Sequence, residues 1–202
     1  ETATDWDTSL DAAVAAGTDH VSAYALGVEP GTKLATRVRD GSLPAPSGDE
    51  AAERYRRAAA RLGDAGFDWY EISNWARTPA ARCRHNLLYW RNEHWWGVGP
   101  GAHSHIAGVR WSNLRDPGAW ADATTARADP SDELEVLDRD AQELERLLCG
   151  VRLSDGLPVD GLADDAVAGM VADGLATVDG GRLVLSLDGR LLADTVVRAL
   201  AR

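Results

Sequence analysis

Between His20 and Ile72 the chain runs through an apolar strand, an amphipathic helix and a second short apolar strand, an order that admits few folds. From His20 to Val28 the apolar content is nearly continuous (Val21, Ala23, Ala25, Leu26, Val28), as in a strand buried on both faces of a parallel sheet. Glu29-Pro30-Gly31-Thr32 stops it, with Pro at i+1 and Gly at i+2 favouring a type II turn. Beyond the loop from Gly41 to Gly48, Asp49 is placed to cap a helix carrying Ala52, Tyr55, Ala59 and Leu62 on one stripe, with Gly63 and Gly66 near its end. Phe67 to Ile72 forms the second strand. The spacing predicts a βαβ unit with parallel strands and a right-handed crossover. Ligand chemistry in such folds gathers beyond the C-terminal strand ends, here Glu29 and Ser73-Asn74-Trp75. Upstream, Thr4 or Asp5 caps a helix with Trp6, Leu10, Ala13 and Val14 on one face, closed by Gly17.

The segment leaving that expected mouth is Cys83-Arg84-His85-Asn86-Leu87-Leu88-Tyr89-Trp90. A thiol and an imidazole two positions apart, followed by large aromatics, suit a flat metal-bearing ligand, because haem iron takes His or Cys as an axial partner. The competing reading is a packed or surface histidine. Further on, Trp95 to His105 (WWGVGPGAHSH) joins aromatic bulk to glycines that let backbone approach a ligand closely, or that simply form a tight buried turn. No helix signal follows the glycines, as a dinucleotide fingerprint requires. His103 and His105 can share one side of a strand and bind zinc, but no third ligand lies at suitable spacing.

Composition limits the classes that remain. The chain has 202 residues, is 45% hydrophobic and has no apolar run near the ~20 residues of a membrane span, so it reads as globular and soluble. Its length allows one large domain or two small ones. A net charge of -11, with Lys33 as the single lysine, gives an acidic surface that repels nucleic acid and anionic lipid. Cys83 and Cys149 make no disulfide framework and no secretory signal is read, which suits a reduced, cytoplasmic protein.

The remainder reads as a helical domain. Asp132 is placed to cap a long helix with Leu134, Leu137, Ala141, Leu144, Leu148 and Val151 at three- and four-residue steps. After Gly156-Leu157-Pro158 comes a helix around Leu162, Ala166 and Met170 that ends near Gly174. A hairpin follows, Ala176–Val178 and Arg182–Leu185 around Asp179-Gly180-Gly181, and then a final helix from Leu187 to Leu200. Helices and a small hairpin resemble a winged-helix arrangement. Asp164, Asp165, Asp173, Asp188 and Asp194 argue for a packing or lid role over nucleic-acid binding.

Four stretches, His20–Thr32 (HVSAYALGVEPGT), Tyr70–Arg77 (YEISNWAR), His85–Trp90 (HNLLYW) and Gly97–Ser104 (GVGPGAHS), resemble the HemW family of haem chaperones. That family is related to oxygen-independent coproporphyrinogen III oxidase. The resemblance implies an α/β chain: residues 1–128 as the C-terminal strands and helices of a partial (βα)6 radical S-adenosylmethionine barrel, and residues 129–202 as a helical, winged-helix-like C-terminal domain. The HNxxYW string is similar to the motif that separates the chaperones from the oxidase. It implies His85 as haem ligand, with Asn86, Tyr89 and Trp90 shaping the site and Cys83 as the rival ligand. By the same resemblance Gly27, Gly101, Ala102 and His103 line an S-adenosylmethionine pocket, or the glycines serve tight packing alone.

Members of the family hold a [4Fe-4S] cluster with a Cys-x3-Cys-x2-Cys motif, which two distant cysteines do not supply. Glu1-Thr2 resembles the end of the family's Gly-Thr-Pro-Gly-Glu-Ser/Thr segment, so the chain is expected to be a C-terminal portion that is not catalytic alone. The implied function is haem binding and transfer to an acceptor protein, with no nucleic acid and no integral membrane segment. The alternatives are a porphyrin-pathway oxidase and a winged-helix interaction module.

Overall fold

Thr2 starts the first helix. Its hydroxyl accepts the Asp5 N–H at 3.2 Å while the Asp5 carboxylate accepts the Thr2 N–H at 2.8 Å, a reciprocal capping box. Helix α1 (Ala3–Ala15) therefore begins earlier than a cap at Thr4 or Asp5 places it, and Gly17 follows its end at φ 70°. The computed structural model describes residues 1–201, which divide into two units, Glu1–Cys83 and the residues from Arg84 onward.

In the first unit β1 covers only His20–Ser22. The chain then leaves the sheet with Tyr24 64% and Leu26 67% exposed, so the apolar run is neither a long strand nor buried on both faces. The turn at Glu29 is as expected: Thr32 N–H donates to the Glu29 carbonyl at 3.4 Å and Gly31 has φ 80°, the value a type II turn demands. Thr32 then caps α2 (Lys33–Arg39), a helix too short to announce itself by periodicity. Ser47, not Asp49, caps α3 (Gly48–Asp64), accepting the Glu50 N–H at 3.3 Å and leaving Asp49 and Glu50 to favour the helix dipole.

After β2 (Asp68–Glu71), Ser73 at φ 72° reverses the chain into β3 (Asn74–Ala76). The sheet order is β1-β3-β2 and both pairings are antiparallel. β1 and β2 share a direction, as a βαβ unit requires, but β3 lies between them and replaces the expected parallel pairing. Ser73-Asn74-Trp75 is consequently a turn and strand rather than a loop at a functional mouth. All three β3 residues are buried, so no alternation marks the strand in sequence.

Leu10, Ala58, Leu62, Phe67 and Trp75 make the core of this unit, with Trp6, Val14, Val21 and Tyr55 packed against it. Arg77 stacks over Phe67 at 4.1 Å and donates to the Ala65 carbonyl at 2.6 Å. Tyr70, 1% exposed, binds His20 Nε2 through its hydroxyl at 2.8 Å, and the same oxygen accepts the Cys83 N–H at 3.1 Å. Burial pushes the Tyr70 phenol up to about 12 and holds the His20 imidazole below its ordinary value. A short 3-10 turn (Pro79–Ala81) leads to Cys83.

The second unit begins with α4 (Arg84–Trp90), followed by β4 (His103–Ile106) and β5 (Val109–Asn113). Asp116 caps α5 (Pro117–Thr125), and β6 (Ser131–Val136) completes an antiparallel sheet of order β4-β5-β6. Asp132 thus lies in a strand and caps nothing. Leu134 and Val136 alternate along β6 with 67% and 69% exposure, a period of two hidden inside an apparent helical stripe. Asp138 is the cap, accepting the Ala141 N–H at 2.8 Å, and α6 (Arg139–Gly150) buries Leu147. The pairing of β5 with β6 runs across the expected boundary at residues 128 and 129.

A third sheet has the order β7-β9-β8, from β7 (Leu157–Pro158), β8 (Ala176–Asp179) and β9 (Arg182–Leu185), with α7 (Asp164–Ala172) between the first two in sequence. The expected hairpin is present, but Asp179 belongs to β8 and pairs with Arg182, so the loop is the two residues Gly180 and Gly181, at φ 53° and 74°. The final helix is broken: α8 (Leu187–Leu191) and α9 (Ala193–Leu200) meet at Leu192, φ -113° and ψ 26°. Helices and small antiparallel sheets make an α/β fold, and no helix among the described residues is long and apolar enough to cross a membrane.

Two expectations follow. A Cβ at Gly189 falls 1.8 Å from the Leu175 carbonyl oxygen, whereas one at Gly169 in α7 meets nothing within 4 Å. Thermal unfolding will show Gly189→Ala losing about 2–3 kcal/mol and Gly169→Ala gaining about 0.5–1 kcal/mol. For Tyr70, the phenol is favoured neutral in the fold, so its stabilising contribution is complete below pH 10 and is lost as pH rises through about 12. An ultraviolet titration will contain a phenol step near 12 that Tyr70→Phe removes.

Candidate functional site

Helix α4 puts His85 and Tyr89 on one face and Asn86 and Trp90 on the next, each pair four residues apart. Leu87, 8% exposed, anchors the helix. His85 is exposed and Tyr89 is 39% exposed. The His85 Nε2 and the Tyr89 hydroxyl are 3.1 Å apart, and the two rings meet edge-on at 4.9 Å. Cys83, a half-buried free thiol, closes the first unit.

Tyr89 is the start of a longer aromatic row. Its ring lies 4.7 Å from that of Trp95, Trp95 lies 4.8 Å from His105, and His105 lies 6.2 Å from His94. Backbone bonds of 2.9 and 3.0 Å in both directions between Trp95 and His105 fix this arrangement. The buried His105 donates from Nδ1 to the Glu93 carbonyl at 3.0 Å, which places its proton on that nitrogen. His94, exposed, accepts the Ala107 N–H at Nδ1. The bulk of Trp95 is plain in the sequence, but no local pattern joins it or His94 to His85. The signal is the two-residue alternation of Trp95 and Trp96, which sends neighbouring rings to opposite sides.

Trp96 takes the other side, 5.1 Å from Trp111. With Val98, Asn113, Trp120 and Leu134 these rings line a cavity of about 390 Å3, within the usual size of small-molecule sites. The Trp120 Nε1–H is buried without a partner among the described residues. The glycine loop that forms one wall is held by Asn113, whose side-chain amide donates to the Gly99 carbonyl at 2.8 Å, and by Ser104, whose hydroxyl accepts the Gly97 N–H at 2.9 Å. Ser104 lies within the Gly97–Ser104 stretch singled out in the sequence, though without this role, and Asn113 lies outside it. Gly97 has no alternative, since a Cβ there falls 2.3 Å from the His103 carbonyl oxygen.

Gly101, Ala102 and His103 follow one another along this loop into β4. Gly101 has φ 68° and donates to the Leu114 carbonyl at 2.9 Å, Ala102 accepts the Asn113 N–H at 2.9 Å, and the His103 side chain is exposed. Gly27 belongs to the first unit, in an exposed stretch without regular structure. Among the described residues no three His, Cys, Asp or Glu side chains gather at a metal-sized point. His103 and His105, two apart on β4, differ sharply in exposure. Two free cysteines do not fit a cluster that needs three thiolates, whereas an exposed imidazole beside edge-packed aromatic rings has the chemistry to meet a haem iron and its flat ring.

No protein-family model matches the chain. The heme chaperone HemW of Mycobacterium tuberculosis is 52% identical over 195 residues, covering 95% of this chain and 50% of that protein. HemW of Synechocystis is 38% identical over 162 residues, 78% of this chain and 38% of that protein. Radical S-adenosyl methionine domain-containing protein 1, mitochondrial, of Bos taurus is 40% identical over 154 residues, 69% of this chain and 33% of that protein. Among solved structures, the coproporphyrinogen III oxidase HemN of Escherichia coli, a radical S-adenosylmethionine enzyme, superposes with a TM-score of 0.69 at 19% identity, over 100% of this chain and 52% of that one. The chain spans about half the length of the curated relatives it matches first. It belongs to the HemW heme-chaperone family, within the radical S-adenosylmethionine group that is similar to coproporphyrinogen oxidase.

Proposed function

We propose that this chain supplies a haem-binding surface built on α4, with His85 as the iron ligand and Asn86, Tyr89 and Trp90 shaping its surroundings. The observation that carries this reading is the exposed His85 imidazole at the head of the row Tyr89, Trp95, His105. Haem brings an iron that accepts an imidazole nitrogen and a flat apolar ring whose burial is favourable at ~25 cal/mol per Å2. Tyr89 occupies His85 Nε2 with a hydrogen bond, so ligation through that nitrogen displaces the phenol. Cys83 is the rival ligand, presented from the other side of the α4 start in sequence.

In the longer relatives, the first unit and the Gly97–Ser104 loop would correspond to the end of a partial (βα)6 barrel. There Gly27, Gly101, Ala102 and His103 would line an S-adenosylmethionine pocket beside a [4Fe-4S] cluster. The tail from residue 129 would be the winged-helix-like C-terminal domain. The cellular act we assign is delivery of haem to an acceptor protein, supported by the heme-chaperone name that the relatives carry, and we place it in the cytoplasm. Porphyrinogen decarboxylation ranks below it, because a fold shared at 19% identity does not carry an activity.

Haem titration followed by the Soret band tests the site. His85→Ala is expected to weaken binding at least tenfold, a loss of about 1.4 kcal/mol or more, and to move the band. Tyr89→Phe removes the competing hydrogen bond, worth about 1 kcal/mol, and is expected to tighten binding about fivefold. An unchanged spectrum and affinity in His85→Ala, with loss in Cys83→Ala, would transfer the ligand role to the thiol.

A further inference from the structure

Helix α7 has two aspartates at its start and after them only Ala, Val, Gly and Met. A helix apolar on every side is ordinarily enclosed on every side, yet none of its residues is buried. It packs on β8 and α9, which accounts for one side. On another, Asp164, Val167, Ala168, Val171 and Ala172 follow the i, i+3, i+4, i+7, i+8 spacing of a single stripe. With Val159 and Val178 they line an open groove of about 520 Å3, and Val171 and Val178 are 42% and 47% exposed.

The segment that builds this groove carries charge of one sign, and Arg182, opposite Asp179 across the hairpin, directs its guanidinium to the Asp155 and Gly156 carbonyls. Asp160, Asp164, Asp165, Asp173 and Asp179 are all exposed, and residues 159–181 contain no Lys, Arg or His. Such a surface repels nucleic acid and anionic lipid. It also disfavours a second copy of this chain, because a two-fold contact sets the same five aspartates against one another.

We propose that the groove between α7 and β8 docks a basic amphipathic helix of a partner protein. The partner's apolar side chains at i, i+3, i+4 and i+7 would lie along Val167, Val171 and Val178, and its flanking Lys and Arg would face the five aspartates. The surface is separate from the proposed haem ligand on α4 and does not depend on it.

Fluorescence anisotropy with the full chain tests this. One labelled ~14-residue helical peptide carries a Leu stripe at i, i+3, i+4 and i+7 with Lys and Arg elsewhere, and a matched peptide replaces the basic residues with Glu. The basic peptide is expected to bind saturably, at least tenfold more weakly to Val171→Arg and to Val178→Arg. Its affinity should also fall as salt rises from about 50 to about 300 mM, while the acidic peptide stays free. Both substituted positions are nearly half-exposed and lie on different elements, and circular dichroism melting verifies that each variant is folded. Equal binding of the two peptides, or full affinity in both folded variants, would overturn the proposal. So would a dimer of the chain in sedimentation velocity that Val171→Arg dissolves, since a second copy would then be the occupant.

Discussion

The arrangement of the second unit rests on a place where two backbones meet with no room for a side chain. Gly97 faces the His103 carbonyl so closely that a single added carbon would overlap it. The approach lets the strand-like run before Gly97 lie against β4, pairing Trp95 with His105 through backbone bonds. From that pairing come both aromatic features: Trp95 turns to Tyr89 and His105, and Trp96 turns to Trp111. The glycine string therefore acts first as a spacer between backbones, whatever ligand its outer turns meet.

A four-residue period decides what the HNxxYW string can do. On a strand His85 and Asn86 would face opposite ways, but on α4 His85 meets Tyr89 and Asn86 shares its side with Trp90. The string is thus two pairs with different surroundings. The first pair is exposed and joined to the aromatic row, which is why we propose His85 and not Asn86 as the iron ligand.

Much of the chain was legible where local chemistry decides. The type II turn at Pro30-Gly31 and the Gly180-Gly181 hairpin follow from backbone angles that few residues tolerate. Helix starts were misplaced by two to six residues, because Thr2, Ser47 and Asp138 each have acidic or hydroxyl neighbours that cap equally well on paper. The strands failed for another reason. β3 is short and wholly buried, so it shows no alternation, and the period of two in β6 is masked by the apolar steps that run on into α6. The candidate site divides in the same way. His85 and the glycine loop stand out as motifs, whereas Trp111 and Asn113 on β5 and Trp120 on α5 take part through tertiary placement that no local pattern records.

The bond between Tyr89 and His85 also bears on letting go. A carrier has to surrender its cargo, and an imidazole that loses a metal is left with a lone pair to satisfy. On α4 the phenol stands 3.1 Å away, ready to fill that vacancy with its own proton. Under the proposed ligation, departure of the metal would be a ligand exchange, the phenol taking back the nitrogen that the iron leaves. Residence time, as well as affinity, would be a property that Tyr89 governs.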